Sequence, residues 1–176
     1  MVNHVNLKPI LNIDGEVFIA ELYTTISPDT QLTDLSREVD VATAAERQFG
    51  VQVDHFIAGI GLDDLGNLFA VRAHFHREHA YRVVLIRLEE AEGERPSSED
   101  VLLERQRWYA AWLYQHFGRA PYEYAWGRIE PFLDPYTFTS GIEVTYPQHS
   151  PYQQYARERQ QAQKRSGLLG FLRPKR

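Results

Sequence analysis

The stretch from Pro96 to Tyr146 constrains this chain most, because it joins one long amphipathic helix to alternating aromatic strands and holds all three tryptophans. Ser97 follows Pro96 and precedes Ser98, Glu99 and Asp100. A hydroxyl N-cap thus leads an acidic first turn, with capping-box spacing between Ser97 and Asp100. Acidic side chains there suit the positive end of the helix dipole. Apolar positions then recur at helical spacing: Val101/Leu102, Trp108/Tyr109, Trp112/Leu113 and His116/Phe117. Gly118 supplies a C-cap and Pro121 prevents continuation.

Downstream, Tyr122, Tyr124 and Trp126 alternate with Glu123 and Ala125, and Ile142, Val144 and Tyr146 alternate with Glu143 and Thr145. Period-2 alternation predicts two half-buried strands. Pro131, Asp134-Pro135 and Ser140-Gly141 between them predict turns. Packing Trp108 and Trp112 onto this hairpin removes roughly 150–250 Å² per ring from water, so a few side chains dominate the expected core.

Upstream, Asp14-Gly15 between apolar residues predicts a hairpin turn, with Ser27-Pro28-Asp29 ending its second strand. The Ala-, Glu- and Arg-rich run from Asp34 to Phe49, stopped by Gly50, predicts a second helix. Three strands are expected over 56–60, 68–75 and 81–88, joined through the acidic turn at Asp63, Asp64, Leu65, Gly66 and Asn67. Their short connections favour an antiparallel meander. Gly59-Ile60-Gly61 lacks the third glycine of a dinucleotide fingerprint and predicts a bulge or a close strand approach. Ser150-Pro151 starts a polar helix ending near Ser166-Gly167, followed by Leu168-Leu169-Gly170-Phe171-Leu172 with basic flanks. The predicted fold is therefore α+β: an antiparallel sheet of about five to seven strands, a long helix on one face, and a polar C-terminal helix and tail. Residues 1–146 form the expected domain and 147–176 the appended segment.

The 176 residues suffice for one domain with a sizeable core. No apolar run approaches a membrane span, and Met1-Val2-Asn3-His4 lacks the start of a secretory signal. Absence of cysteine excludes disulfides and thiolate chemistry. The cytoplasm is the expected compartment. The net charge of −5 is uneven: residues 157–176 carry seven basic side chains against Glu158, or +6, leaving −11 on the rest. An acidic body repels phosphate, so no nucleic-acid partner is expected. The basic tail offers contact with an anionic membrane or another protein.

Signatures of chemistry are sparse. There is no GxSxG turn, phosphate-binding glycine loop or HExxH helix. His74, His76 and His79 have spacing compatible with zinc, His74 and His76 on one strand face and His79 returning from the turn. A metal-dependent hydrolase built on them is the alternative function, and a structural or adaptor protein docking through its basic tail is a third. The expectation is otherwise of no catalytic residue, no metal and no cofactor. Asp63 and Asp64, with Glu89, Glu90, Glu92 and Glu94, form acidic loops suited to a basic protein surface.

The order of helix, Phe117-Gly118, aromatic strand with Trp126-Gly127, Asp134-Pro135, then Ile142-Glu143-Val144-Thr145-Tyr146 resembles small bacterial immunity proteins encoded beside polymorphic or type VI secretion toxins. The resemblance covers residues 97–146. It implies a non-enzymatic inhibitor that binds a cognate toxin, and it assigns no binding residue.

Overall fold

A seven-stranded antiparallel sheet, a two-stranded one and a 19-residue helix carry the architecture. The computed structural model describes residues 8–35, 39, 42–48, 51–91, 93, 98–151, 153, 156 and 157, with backbone only at 42–48 and 51–54. The elements run β1 (Val17–Ile19), β2 (Thr24–Ile26), β3 (Ala42–Gln48), β4 (Val51–Leu62), β5 (Leu68–His76), β6 (His79–Arg87), α1 (Leu88–Ala91), α2 (Glu99–Phe117), β7 (Tyr122–Tyr124), β8 (Gly127–Asp134) and β9 (Thr139–Thr145). The small sheet pairs β1 with β2; the large one has the order β3-β4-β5-β6-β9-β8-β7. The predicted α+β class and the β4–β5–β6 meander are both present.

Register explains the core. Ile57, Ala73, Val83, Val144, Ile129 and Tyr122 face one another across consecutive strands, and all are buried. Val71, Leu85 and Ile142 form a second such row. Helix α2 covers part of this face with Leu102, Tyr109, Trp112 and Leu113, the positions its sequence period marks. The N-terminal segment covers another part. A Cβ on Gly59 would lie 2.7 Å from Ile19, and one on Gly61 would lie 2.5 Å from Ile10. Those two glycines let the segment approach the sheet closely. Positions of the opposite parity are mixed: Ala58 and Arg72 are exposed, Arg82, Val84 and Glu143 are half-buried, and His74 is buried.

Three expectations change. Ala42–Gln48, predicted helical within the 34–49 run, is strand β3, paired with β4. Pairing partners outweigh the helix propensity of Ala, Glu, Arg and Gln there. The aromatic hairpin contains an additional strand: β8 pairs with both β7 and β9, and Pro131 and Ser140-Gly141 lie inside strands instead of turns. The Asp14-Gly15 turn closes a Leu11–Val17 bridge, but β1 finds its strand partner in β2.

Asp134 does make the expected turn, accepting from Tyr136 N at 2.9 Å and from Thr137 Oγ1 at 2.7 Å. Helix α2 begins at Ser98 as N-cap without a side-chain cap bond, and Gly118 closes it at φ 78°. Ser97 lies outside the described residues. Pro151, Gln153, Ala156 and Arg157 are helical; the rest of the predicted C-terminal helix and the tail from Glu158 onward lie outside the described residues.

Candidate functional site

The β4–β5 turn and the β6–α1 junction leave the sheet at the same end, since Phe69 pairs with Arg87. Two acidic runs far apart in sequence thereby share one end of the fold, bordered by α2. Their members divide into two kinds.

Asp63 is 3% exposed and accepts four hydrogen bonds. Leu65 N and Asn67 N donate to Oδ1 at 3.0 and 2.7 Å, while Asn67 Nδ2 and Trp112 Nε1 donate to Oδ2 at 2.7 and 2.8 Å. Burial pushes its pKa up, but the bonds from the Asn67 side chain, the Trp112 indole and the two backbone N–H groups outweigh burial and leave it lowered. Glu90, with its side chain 6% exposed, accepts the Tyr109 hydroxyl at 3.0 Å and pairs with Arg87 at 3.3 Å and Arg105 at 3.8 Å. The Tyr109 hydroxyl in turn accepts Arg87 N at 2.9 Å. These two carboxylates thus bind the sheet end to α2 and face inward.

Asp64 and Glu89 point outward, their side chains 75% and 65% exposed. Asp64 touches His116, and Glu89 pairs with Arg87, whose guanidinium lies 4.3 Å from the Trp108 ring centre. Leu65 and Leu68, from the same turn, are exposed large apolar side chains. Glu92 and Glu94 lie outside the described residues. The outward set is therefore an acidic, partly apolar surface on a turn fixed by Asp63.

The three histidines of the hydrolase alternative do not converge on one point. His79 is registered opposite His76, but its ring stacks on His149 with centroids 4.4 Å apart. The His74 ring lies 6.2 Å from Phe56 and 6.3 Å from Tyr81. His76 Nδ1 is buried without a hydrogen-bond partner. Among the described residues, the His, Asp and Glu side chains whose ligand atoms do converge, within 4.8 Å, are Asp63, Asp64 and His116. Sequence spacing hides this set, since its members lie on two elements. A groove of about 480 Å³ is lined by Tyr81, Arg82, Arg128 and Glu143 among others, and holds none of these histidines.

His74 does have a thermodynamic consequence. Burial first, then the Arg82 and Arg72 guanidinium groups, hold its pKa down at about 4. An unfolded histidine titrates near 6.5, so between those values the unfolded chain binds the extra proton. The contribution is therefore neutral above about pH 6.5, becomes unfavourable as pH falls, and levels off below about 4. Between pH 7.5 and 5 it costs about 2 kcal/mol. Urea unfolding at both pH values should show His74→Gln losing about that much less stability than wild type; equal losses would refute the assignment. His149, lowered by burial and by His79, adds in the same sense.

No protein-family model matches the chain, and no curated protein matches it. No helix among the described residues is long and apolar enough to cross a membrane. In fold, the chain is similar to a chain in the solved structure of Rhs1-CT in complex with cognate immunity protein RhsI1. The TM-score is 0.52 at 14% identity, over 85% of this chain and 96% of that one. The likeness is one of fold, and it extends well beyond residues 97–146, where the sequence resemblance lies.

Proposed function

We propose that this chain is a non-enzymatic inhibitor of the immunity type, which neutralises a cognate bacterial toxin by forming a complex with it in the cytoplasm. The observation that carries this reading is the fold shared with a chain from a complex of Rhs1-CT and its immunity protein. The acidic body supports it, as does the use of the buried carboxylates of Asp63 and Glu90 in holding structure. An inhibitor of this kind needs a shaped surface and no reactive group. Its toxin belongs to a polymorphic or type VI secretion system under this proposal.

The contact surface proposed is the sheet end carrying Asp64 and Glu89, with Leu65 and Leu68 beside them and Glu92 and Glu94 following in sequence. Negative charge around exposed apolar side chains suits a basic partner, since charge of one sign speeds encounter and fixes orientation. Asp63 and Glu90 act as positioning residues for that surface.

The test is to mix the purified chain with the toxin domain encoded beside its gene and measure binding by calorimetry. A complex of submicromolar Kd is expected, and no complex at micromolar concentration would overturn the function. In the same assay the double substitution Asp64→Lys/Glu89→Lys should weaken binding at least about tenfold, chiefly through slower association. Unchanged binding by that variant would leave the function standing and move the interface elsewhere.

A further inference from the structure

The turn joining β8 to β9 stands at the sheet end that carries Asp64 and Glu89. Leu85 pairs with Ile142, so β9 starts where β6 runs out toward Arg87, and Arg87 lies opposite Phe69 beside the β4–β5 turn. At the tip of the β8–β9 turn Tyr136 is 93% exposed, and Phe138, two residues on, is exposed as well. Neither ring belongs to the core. One exposed ring is ordinary on a protein surface, but this pair is held in place. Asp134 Oδ1 accepts Tyr136 N at 2.9 Å, Asp134 Oδ2 accepts Thr137 Oγ1 at 2.7 Å, and the Thr137 and Thr139 hydroxyls are 2.7 Å apart. Phe138 sits at φ 55°, a left-handed conformation that a bulky side chain disfavours and a glycine takes freely. The chain thus keeps a strained backbone at a site that does nothing for the core, and strain of that kind collects where surfaces act on other molecules.

The charges at this end define what the rings can meet. Asp64 and Glu89 face solvent, while Arg87 is engaged by Glu89 and Glu90. Arg82, whose charge reaches Asp134, is paired with Glu143 at 2.6 Å. Ring faces next to free carboxylates suit a guanidinium, which stacks on the ring while its N–H fork meets an acid. The same end already holds one guanidinium in this way, Arg87 between the Trp108 ring and Glu89. We propose that Tyr136 and Phe138 anchor an arginine-bearing surface of the protein partner, with Asp64 and Glu89 as its charged rim. The inference rests on the inhibitor reading above and adds the residues that set how long the complex lasts. Pre-ordered rings desolvated at a contact govern dissociation, whereas rim charges govern encounter.

The experiment measures association and dissociation rates of the full chain with the toxin domain encoded beside its gene. Tyr136→Ala should speed dissociation at least about thirtyfold and leave association within about twofold, the reverse of the pattern expected for Asp64→Lys/Glu89→Lys. Tyr136→Phe keeps the ring face and should stay within about threefold of wild type; a loss equal to that of alanine would overturn the guanidinium contact. Phe138→Gly should also dissociate faster, with a urea midpoint no lower than wild type because glycine accepts φ 55° without strain. Weaker binding without weaker folding is a result that a purely structural residue would not give. Wild-type rates in both Tyr136→Ala and Phe138→Gly would overturn the anchor and leave the inhibitor reading intact, whereas no complex with the wild-type chain would remove both. A wild-type dimer that Tyr136→Ala dissolves in sedimentation would assign the rings to a second copy and overturn the proposal as well.

Discussion

Replacing Asp63 with alanine should lower the unfolding free energy by about 4 kcal/mol, among the larger effects of a single surface-loop substitution. Four donors converge on this carboxylate, and hydrogen bonds to a charged group contribute about 1.5–3 kcal/mol each when made. The turn amides of Leu65 and Asn67 recover part of that by reaching water. The Trp112 indole does not, because Trp112 is 3% exposed and its Nε1–H would face an apolar methyl. Asp63→Asn tests the directionality. Its oxygen can serve the two backbone donors, but its amide hydrogens would oppose the indole and the Asn67 amide, so it should recover less than half the loss. Urea unfolding followed by tryptophan emission measures both variants. An alanine variant within 1 kcal/mol of wild type would mean that the turn stands without its acid.

Tyr146→Ala should cost about 3–5 kcal/mol, the range for removing a large buried ring. Tyr146 is fully buried just beyond β9; its N–H donates to Tyr81 O at 2.8 Å and its hydroxyl donates to Gly15 O at 2.7 Å. Burial pushes its phenol pKa up, so the hydroxyl stays a donor throughout the accessible pH range. Trp126 packs edge-on against it at 5.9 Å and donates to Ile13 O at 2.9 Å. The Asn12–Glu16 turn is therefore held by residues more than a hundred positions away. Tyr146→Phe keeps the ring and leaves Gly15 O without its donor, at a cost of about 1–2 kcal/mol. Hydrogen exchange should show faster exchange at Gly15 N and Phe18 N, both bonded within the N-terminal segment, in the alanine variant. Unaltered exchange there would break the proposed link.

Local periodicity made part of this fold legible and tertiary pairing decided the rest. The 3.6-residue stripe of α2 and the alternation along β4, β5 and β6 both name side chains that the core buries, because each of these elements presents one face to it. Strand β3 was not legible: Ala44, Ala45, Glu46 and Arg47 are good helix formers, and only the neighbouring β4 makes them extended. Strand β8 was hidden by Pro131. Its pairing with β7 ends at Tyr122–Ile129, so Pro131 borders no strand on that side and is registered only against Ile142 of β9, the edge-like setting in which a strand tolerates proline. For the candidate surface, composition located the acidic loops but not their orientation. Asp63 and Asp64 are adjacent in sequence, yet one is locked to Trp112 and the other meets solvent. The turn pattern Asp63…Gly66-Asn67 carries a signal for local capping by the acid; its bond across 49 positions to the indole carries none.

Helix α2 and the N-terminal segment pack on one face of the large sheet, and this has a consequence for how such a chain changes over time. Along each central strand, tightly constrained positions such as Ile57, Ala73 and Val83 alternate with lightly constrained ones such as Ala58, Arg72 and Val84. Exposed positions such as Ala58 are thus open to mutational drift at little risk to folding, whereas His74, buried at the same parity, is not. A lineage built this way can rewrite what its outer wall recognises while keeping its skeleton, and two descendants can retain a common shape after nearly all identity between them has eroded.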